Sequence, residues 1–550
     1  MLDLRPIASR SARLAMLDEP GIGAGAFLQY ALAHNPNAEV PFLYEHDLDH
    51  DGEVRLIGHS LRDLETIRDR CAAWYHAHDV RAGEIVGVHL SDGINPFLQF
   101  LALTALGAIP ALINSAMPPD TLRAYLDHVG VVALVSDDPA VAGRHRLRFV
   151  TTPDAVRAND SGATALPSEY PHAPAADDMV ALIHSSGTTG MPKATIVGHQ
   201  RYWVGRRDRV LRFPSQPSDR LLSAMPQTHA AGISYLLNST LIGLPTVAVS
   251  SWRRAVIEPV MRVFQPTVMV AFPRSYVELA TGRPPTLATA NIHTWISTGD
   301  RAHYGHVRRL VQLGRRPAGL VGPTELAGSR FIDGLGSSEL GMSLFEHITT
   351  PETERADCCI GAPIDVVEAA TVLTPDGVEI SDGSAGLLGV KSPTRTPGYW
   401  NAPDLTDQHT LSGFWLSGDI VRKADDGRFY HLDRSADVID AADGPVYSLP
   451  LEEVLLADCA GLVQDCAVVG VPGTGGKACP VAMIVLPSDV VEPTADELLT
   501  SLNAALRSAD LPVLSAAVVA RRDADLPVGP TGKVLKRELR TRLAESLIPG

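Results

Sequence analysis

The chain has 550 residues, 45% of them hydrophobic and 20% charged, which suits roughly two to four domains and excludes a disordered or collagen-like polymer. Its 63 acidic against 47 basic residues leave a net charge of −16, so no nucleic-acid partner is expected, since that binding needs a basic surface that displaces counterions. A local positive pocket for a small anion remains compatible with that charge. In chain order, the first sixteen residues carry Asp3, Arg5, Arg10 and Arg13 and lack the apolar run of a signal peptide. The stretch 21–26 (GIGAGA) lacks both the G-x-G-x-x-G spacing and a preceding strand, which disfavours a dinucleotide-dependent redox enzyme. A strand is predicted over 54–57, then a helix capped by Ser60 with Leu64, Ile67, Cys71, Trp74 and Tyr75 on one face. Strands follow over 84–90, 111–114 and 131–136, with a helix starting at Asn95-Pro96. The uncharged run 93–119 is read as a buried helix and strand, because Pro110 would end the helix short of a membrane span. Residues 152–178, rich in Ala, Pro, Asp and Ser, read as a surface connection, and 179–183 as a strand.

Short apolar runs alternating with helices predict an α/β domain with a largely parallel sheet. The tail reads differently: helix over 449–457, strands over 462–471 and 480–486, and a helix over 495–507 opened by a Thr494/Glu497 capping box. The predicted organisation is a large multi-sheet domain, 1–434, followed by a small α+β domain, 435–550. Six cysteines without a C-x-x-C pair fit free thiols in a reducing compartment and give no zinc spacing. A cytoplasmic location is expected.

The richest segment is Ser185-Ser186-Gly187-Thr188-Thr189-Gly190-Met191-Pro192-Lys193. Its glycines let backbone N–H groups turn toward a phosphate, and hydroxyls and an ammonium add donors. It is not a Walker A loop, because Gly190 stands three before Lys193 and Ala194 follows. Lysine occurs at only six positions (193, 391, 423, 477, 533 and 536), so a lysine in such a motif stands out.

The segment resembles the phosphate loop of the adenylate-forming superfamily: acyl-CoA ligases, luciferases and stand-alone adenylation domains. Further motifs resemble that family in the expected order. Residues 226–232 (PQTHAAG) are similar to its His-x-x-Gly segment, and Gly334-Leu335-Gly336-Ser337-Ser338-Glu339 to its Tyr-Gly-x-Thr-Glu loop. Ser417-Gly418-Asp419 matches Thr-Gly-Asp, Arg434 the interdomain arginine, and Pro530-Thr531-Gly532-Lys533 the late lysine loop. The resemblance spans about residues 50–540 and implies a mobile C-terminal domain, with the site between the two domains. It also implies ATP, Mg²⁺ and coenzyme A as cofactors and substrates.

By this resemblance, Thr188, Thr189 and Lys193 would hold the β- and γ-phosphates, and Glu339 would ligate Mg²⁺, which takes one or two carboxylates plus phosphate oxygens. Asp419 would pair with two ribose hydroxyls, and Arg434 with ribose or phosphate. Lys533 would stabilise the charge that builds between the acid and the α-phosphate, and His229 would border the acyl pocket. The run Arg201, Arg206, Arg207, Arg209 and Arg212 is either a contact for coenzyme A phosphates or a solvated helix face.

Four departures fall on the nucleotide pocket and hinge. Leu335 replaces an aromatic residue, Ser338 and Ser417 replace threonines, Ala436 replaces a charged hinge residue, and the loop 440–448 lacks the usual Lys-Gly or Gly-Gly pattern and is slightly longer. No aspartate precedes His229, which disfavours an α-amino acid, while Ala230, Ala231, Gly232, Gly334 and Leu335 suit a bulky hydrophobic acid. The expected activity is acyl-CoA ligation through an acyl-AMP. Transfer to a carrier-protein thiol or an amine, thioesterification of a preformed adenylate, and a silent adenylate-binding scaffold stay open, as does a homodimer.

Overall fold

The computed structural model describes residues 7–48, 53–91, 93–143, 146–184, 191–213, 215–281, 288–318, 325–473, 476–522, 525–529 and 532–547. The chain divides into two units, one comprising 1–270, 336–342 and 392–408, the other 271–335, 343–391 and 409–550.

The first unit holds a six-stranded sheet in the order Val150–Thr151, Ala133–Ser136, Ile85–Leu90, Ile109–Asn114, Met179–His184, Ala194–Gly198. Every pair is parallel except the last, an antiparallel hairpin that pairs His184 with Ala194. Residues Ile85–Leu90 (IVGVHL) are buried throughout, as a strand covered on both faces requires. The helix Leu61–Ala77 starts at Ser60, whose hydroxyl accepts from the Asp63 N–H while the Asp63 side chain accepts from the Ser60 N–H. Leu64, Cys71, Trp74 and Tyr75 are buried on it as expected; Ile67 is only half-buried, and Arg68 lies buried beside it. A second sheet pairs Leu221–Ala224, Thr246–Ala248 and Leu43–Leu48 in parallel, with Val54–His59 antiparallel at the edge.

Two local expectations fail. The buried helix Asn95–Ala105 ends at Gly107, which takes a positive φ of 76°, and Pro110 lies inside the next strand rather than stopping the helix. The segment 152–178 contains a short helix, Pro153–Ala158, capped by the Thr152 hydroxyl. Among the described residues no helix is long and apolar enough to cross a membrane.

In the second unit the strands Ala369–Leu373, Gly386–Lys391, Phe414–Lys423, Phe429–Arg434, Cys359–Pro363 and Ser343–Thr349 pair antiparallel in that order, and Arg330–Gly336 runs parallel to Thr294–Thr298. Near its end, Asp465–Pro472, Ala478–Val485 and Ala516–Val519 form a three-stranded sheet. The helices Ser448–Asp458 and Ala495–Ser508 bury Leu451, Leu455, Leu498, Leu502 and Leu506 against one face. Leu539 and Leu543 of the helix Lys536–Leu547 cover the other. The Thr494/Glu497 capping box is present.

Candidate active site

In the first unit the hairpin of Met179–His184 and Ala194–Gly198 carries the glycine-rich loop, whose Ser185, Ser186, Gly187, Thr188, Thr189 and Gly190 lie outside the described residues. Lys193 follows, its ammonium 5.1 Å from the ring centre of Tyr399. The Tyr399 hydroxyl donates to Glu339 Oε1 at 2.9 Å, and the Thr396 N–H donates to the Glu339 carbonyl at 2.7 Å. Burial and the Glu339 charge push the Tyr399 phenol well above its ordinary value, so it stays a donor. Lys193, Tyr399 and Glu339 therefore form one group. Sequence reasoning missed Tyr399, although Pro397-Gly398-Tyr399-Trp400 was a visible turn-and-aromatic signal.

Among the described residues no three His, Cys, Asp or Glu side chains gather as a metal cage. A half-buried carboxylate held by the Tyr399 hydroxyl suits Mg²⁺, which draws most of its ligands from phosphate and water. Gly336 opens the turn that carries Glu339, and within it the Ser337 hydroxyl accepts from the Leu340 N–H at 3.2 Å, with Ser338 half-buried.

His229 caps the helix Ala230–Ile242, its Nδ1 accepting from the Ala231 N–H at 3.2 Å. That bond places the ring proton on Nε2. Burial and the neighbouring His184 push its pKa down to about 4, so the ring is neutral at pH 7. Gly232 is forced by space, because a Cβ there would stand 2.1 Å from the Pro226 carbonyl oxygen. Of the arginine run, Arg206 is buried and bonded to protein oxygens whereas Arg207 is exposed, so the run is not one continuous phosphate-binding face.

In the second unit Asp419 and Arg434 stand opposite each other in register on paired strands. Asp419 is 3% exposed, and its Oδ1 lies 3.2 Å from Arg434 Nε and 3.1 Å from His431 Nε2. Burial alone would raise its pKa, but the charges of Arg434 and His431 prevail and hold the carboxyl far below the usual range. Oδ1 is buried and accepts no aligned hydrogen bond from these neighbours. Arg434 also donates to the Ser417 carbonyl at 3.1 Å.

Lys533 Nζ sits 3.6 Å from Asp300 Oδ1. Burial raises the Asp300 pKa, but Lys533, the Arg301 N–H, Arg434 and Lys536 together lower it. Asp300 thus gathers Lys533 and Arg434 around one carboxylate, a residue the sequence reading did not single out. Pro530 and Thr531 lie outside the described residues. Gly334 ends against Ser343, whose Oγ would be 2.7 Å from any added Cβ, and Leu335 beside it is half-buried. Ala436 is exposed, and the loop 440–448 holds a small hairpin of Ile439–Ala441 with Gly444–Val446.

The family model of the AMP-binding enzymes matches residues 53–400. A 3-aminoavenalumate diazotase from a Streptomyces species is 34% identical over 562 aligned residues, covering 98% of this chain and 99% of that protein. A 2-succinylbenzoate–CoA ligase from Bacillus cereus is 24% identical, covering 85% of this chain and 90% of the other. Among solved structures, the anthranilate CoA ligase AuaEII in complex with anthranoyl-AMP superposes with a TM-score of 0.79 at 20% identity, covering 96% of this chain and 99% of that one. A benzoate CoA ligase from Burkholderia xenovorans gives 0.78 at 20% identity, covering 94% and 99%. These structural matches speak to the fold.

Proposed function

Because the chain belongs to the family of AMP-binding enzymes, we propose that it activates an aromatic carboxylic acid with ATP as an acyl adenylate and passes the acyl group to coenzyme A. A carboxylate is a poor electrophile until one oxygen becomes a leaving group. Its oxygen attacks the α-phosphorus, pyrophosphate departs, and the sulfur of coenzyme A then attacks the carbonyl carbon as AMP leaves. The first step needs positioning and charge neutralisation more than covalent help.

The observation that carries this reading is the gathering of Lys533 and Arg434 at Asp300, with Arg434 also paired to Asp419. Asp419 would accept from the ribose hydroxyls, Arg434 would hold Asp419 in place, and Lys533 would meet the charge that builds on the reacting oxygens. Lys193 and Glu339 would serve the outer phosphates. Mg²⁺, when bound, neutralises those phosphates. The region 435–550 is proposed as the part that moves between the half-reactions. Incubation with ATP, Mg²⁺, coenzyme A and a mixture of aryl acids tests the reading by mass spectrometry. Acyl-CoA that vanishes in Lys533→Ala is expected, and its absence with every acid overturns the reading.

A second acceptor chemistry is favoured by one observation: the Streptomyces diazotase matches the whole chain at higher identity than the ligases do. Nitrite, like a carboxylate, becomes reactive once an oxygen carries AMP. An aryl amine would attack the nitrogen of nitrosyl-AMP and release AMP. Uptake of a proton and loss of water from the N-nitrosamine would then leave the diazonium ion. The same ATP-dependent assay with nitrite and an aminoaryl acid in place of coenzyme A separates the two, because only the second reading yields a diazonium product that couples to a naphthol.

A further inference from the structure

Next to the Glu339 turn, the first unit carries a small groove that opens to solvent. Arg201, Tyr202, Ser234, Ser338, Arg395 and Thr396 are among its lining residues, the others being apolar or glycine apart from Thr394, with no carboxylate among them. Arg201 is close enough for Arg395 to feel its charge: burial and Arg201 together lower the pKa of the Arg395 guanidinium. Two like charges are thus held on one small concave surface.

A third arginine lies in the wall. Arg206 is 4% exposed, its guanidinium 3.5 Å from the ring centre of Tyr202. It donates to the Tyr202 carbonyl at 2.7 Å, to Ser234 Oγ at 3.0 Å and to the Gly341 carbonyl at 2.6 Å. It makes no ion pair among the described residues. A buried cation satisfied only by neutral oxygens and an aromatic face leaves its net charge uncancelled, and the potential in the adjoining groove rises accordingly. The Tyr202 hydroxyl is close to Ser234 and Arg206 yet is buried without a hydrogen bond of normal geometry, so the donors of this wall are not fully used.

We propose that this groove is a subsite for a small planar oxyanion gripped by the guanidinium forks of Arg201 and Arg395. The fork matches two oxygens on one central atom, whereas a spherical ion such as chloride gains only the point charge. The groove's walls include Ala230 and Ser338, the chain neighbours of His229, which would border the acyl pocket, and of Glu339, which would serve the phosphates, so the bound anion lies beside the proposed reacting groups. Two sources carry this chemistry: a second carboxylate on the aryl acid, or an inorganic oxyanion such as nitrite. The inference rests on the adenylate-forming reading only for its meaning, because binding itself needs no nucleotide.

The test is isothermal titration of the full chain, without ATP, with sodium nitrite, phthalate and sodium chloride at constant ionic strength. Nitrite or phthalate is expected to bind where chloride gives no signal. Arg201→Gln and Arg395→Gln should each weaken that binding about tenfold or more. Arg201→Lys, which keeps the charge and loses the fork, should fall between. Thermal unfolding checks that the variants are folded; both positions are half-exposed, and the wild-type titration stands whatever the variants do. Nitrite binding alone identifies the inorganic source, and phthalate binding alone the distal carboxylate. Binding of neither beyond chloride, or folded variants that bind as the wild type does, overturns the subsite. Absence of ATP–pyrophosphate exchange would sink the adenylation reading and leave the subsite standing, so the two failures are distinguishable.

Discussion

Asp419 keeps a negative charge in near-complete burial because Arg434 and His431 flank it. Asp419→Asn preserves the shape and removes the charge, leaving the Arg434 guanidinium with less to balance it. AMP affinity is expected to fall about tenfold by titration calorimetry, the scale of a lost charged hydrogen bond. The folded pKa lies below the unfolded value of about 3.9, so the stability due to this charge is present above that pH and lost as pH falls further. The stability gap between wild type and Asp419→Asn should therefore narrow in acid urea titrations begun below about pH 4.

His229 obeys the same arithmetic from the other side. Its pKa of about 4 lies below the ordinary imidazole value, so the neutral ring contributes stability above about pH 6.5 that is lost as pH falls toward 4. His229→Gln should flatten that part of the stability–pH curve. At neutral pH the ring carries its proton on Nε2 and no positive charge.

These residues were legible because their motifs are short, local and rich in unusual types. Lys533 stood out against a scarcity of lysine. Asp300 and Tyr399 did not, because an aspartate after a strand and a tyrosine in a turn are common; only the fold brings them to Lys533 and Glu339.

At the scale of elements, the helix Ser448–Asp458 carries most of what the sequence hid. Its apolar residues predicted a helix, but nothing in LPLEEVLLAD shows that both glutamates face inward. Glu453 is fully buried, 2.7 Å from His303 Nδ1 and 2.6 Å from the Tyr304 N–H. Glu452 lies 2.8 Å from the Lys536 ammonium. Burial would raise the Glu453 pKa, but His303, Arg301 and the Tyr304 N–H bring it down to about 2, and Glu453 in turn raises that of His303.

Glu453→Gln should cost about 3 kcal/mol in urea unfolding, because it strips one partner from a buried pair. The Glu453 contribution is present above about pH 4.5 and lost as pH falls toward 2. The His303 contribution is complete below about pH 6.5 and lost as pH rises through its raised folded pKa. The difference in stability between wild type and His303→Gln should therefore shrink on the alkaline side. An equal difference from pH 6 to 9 would remove His303 from the pair. Pro110 shows the opposite limit of sequence reading: as a breaker it suggested a helix end, yet Gly107 had already turned the chain, and proline was left free to enter a strand.

At the scale of the whole molecule, alternating apolar runs made the parallel sheet of the first unit readable, since strands buried on both faces have continuous hydrophobic sequences. The antiparallel strands between 343 and 434, many of them half-exposed and interrupted by turns, carry weaker patterns, and the sequence reading placed no strands there; only the motifs lying on them stood out. The motifs speak clearly for activation by AMP transfer and less clearly for the acceptor. In the proposed mechanism activation rests on phosphate, ribose and lysine contacts, whereas the acceptor depends on pocket shape and on where arginines point.

The central claim is that this protein joins AMP to the oxygen of an acid. ATP–pyrophosphate exchange, run with a panel of aryl acids and with nitrite, measures that step without regard to the acceptor. Exchange that requires one of these acids and drops at least about a hundredfold in Lys533→Ala is the predicted result. No exchange with any acid, or exchange that Lys533→Ala leaves untouched, would contradict the account.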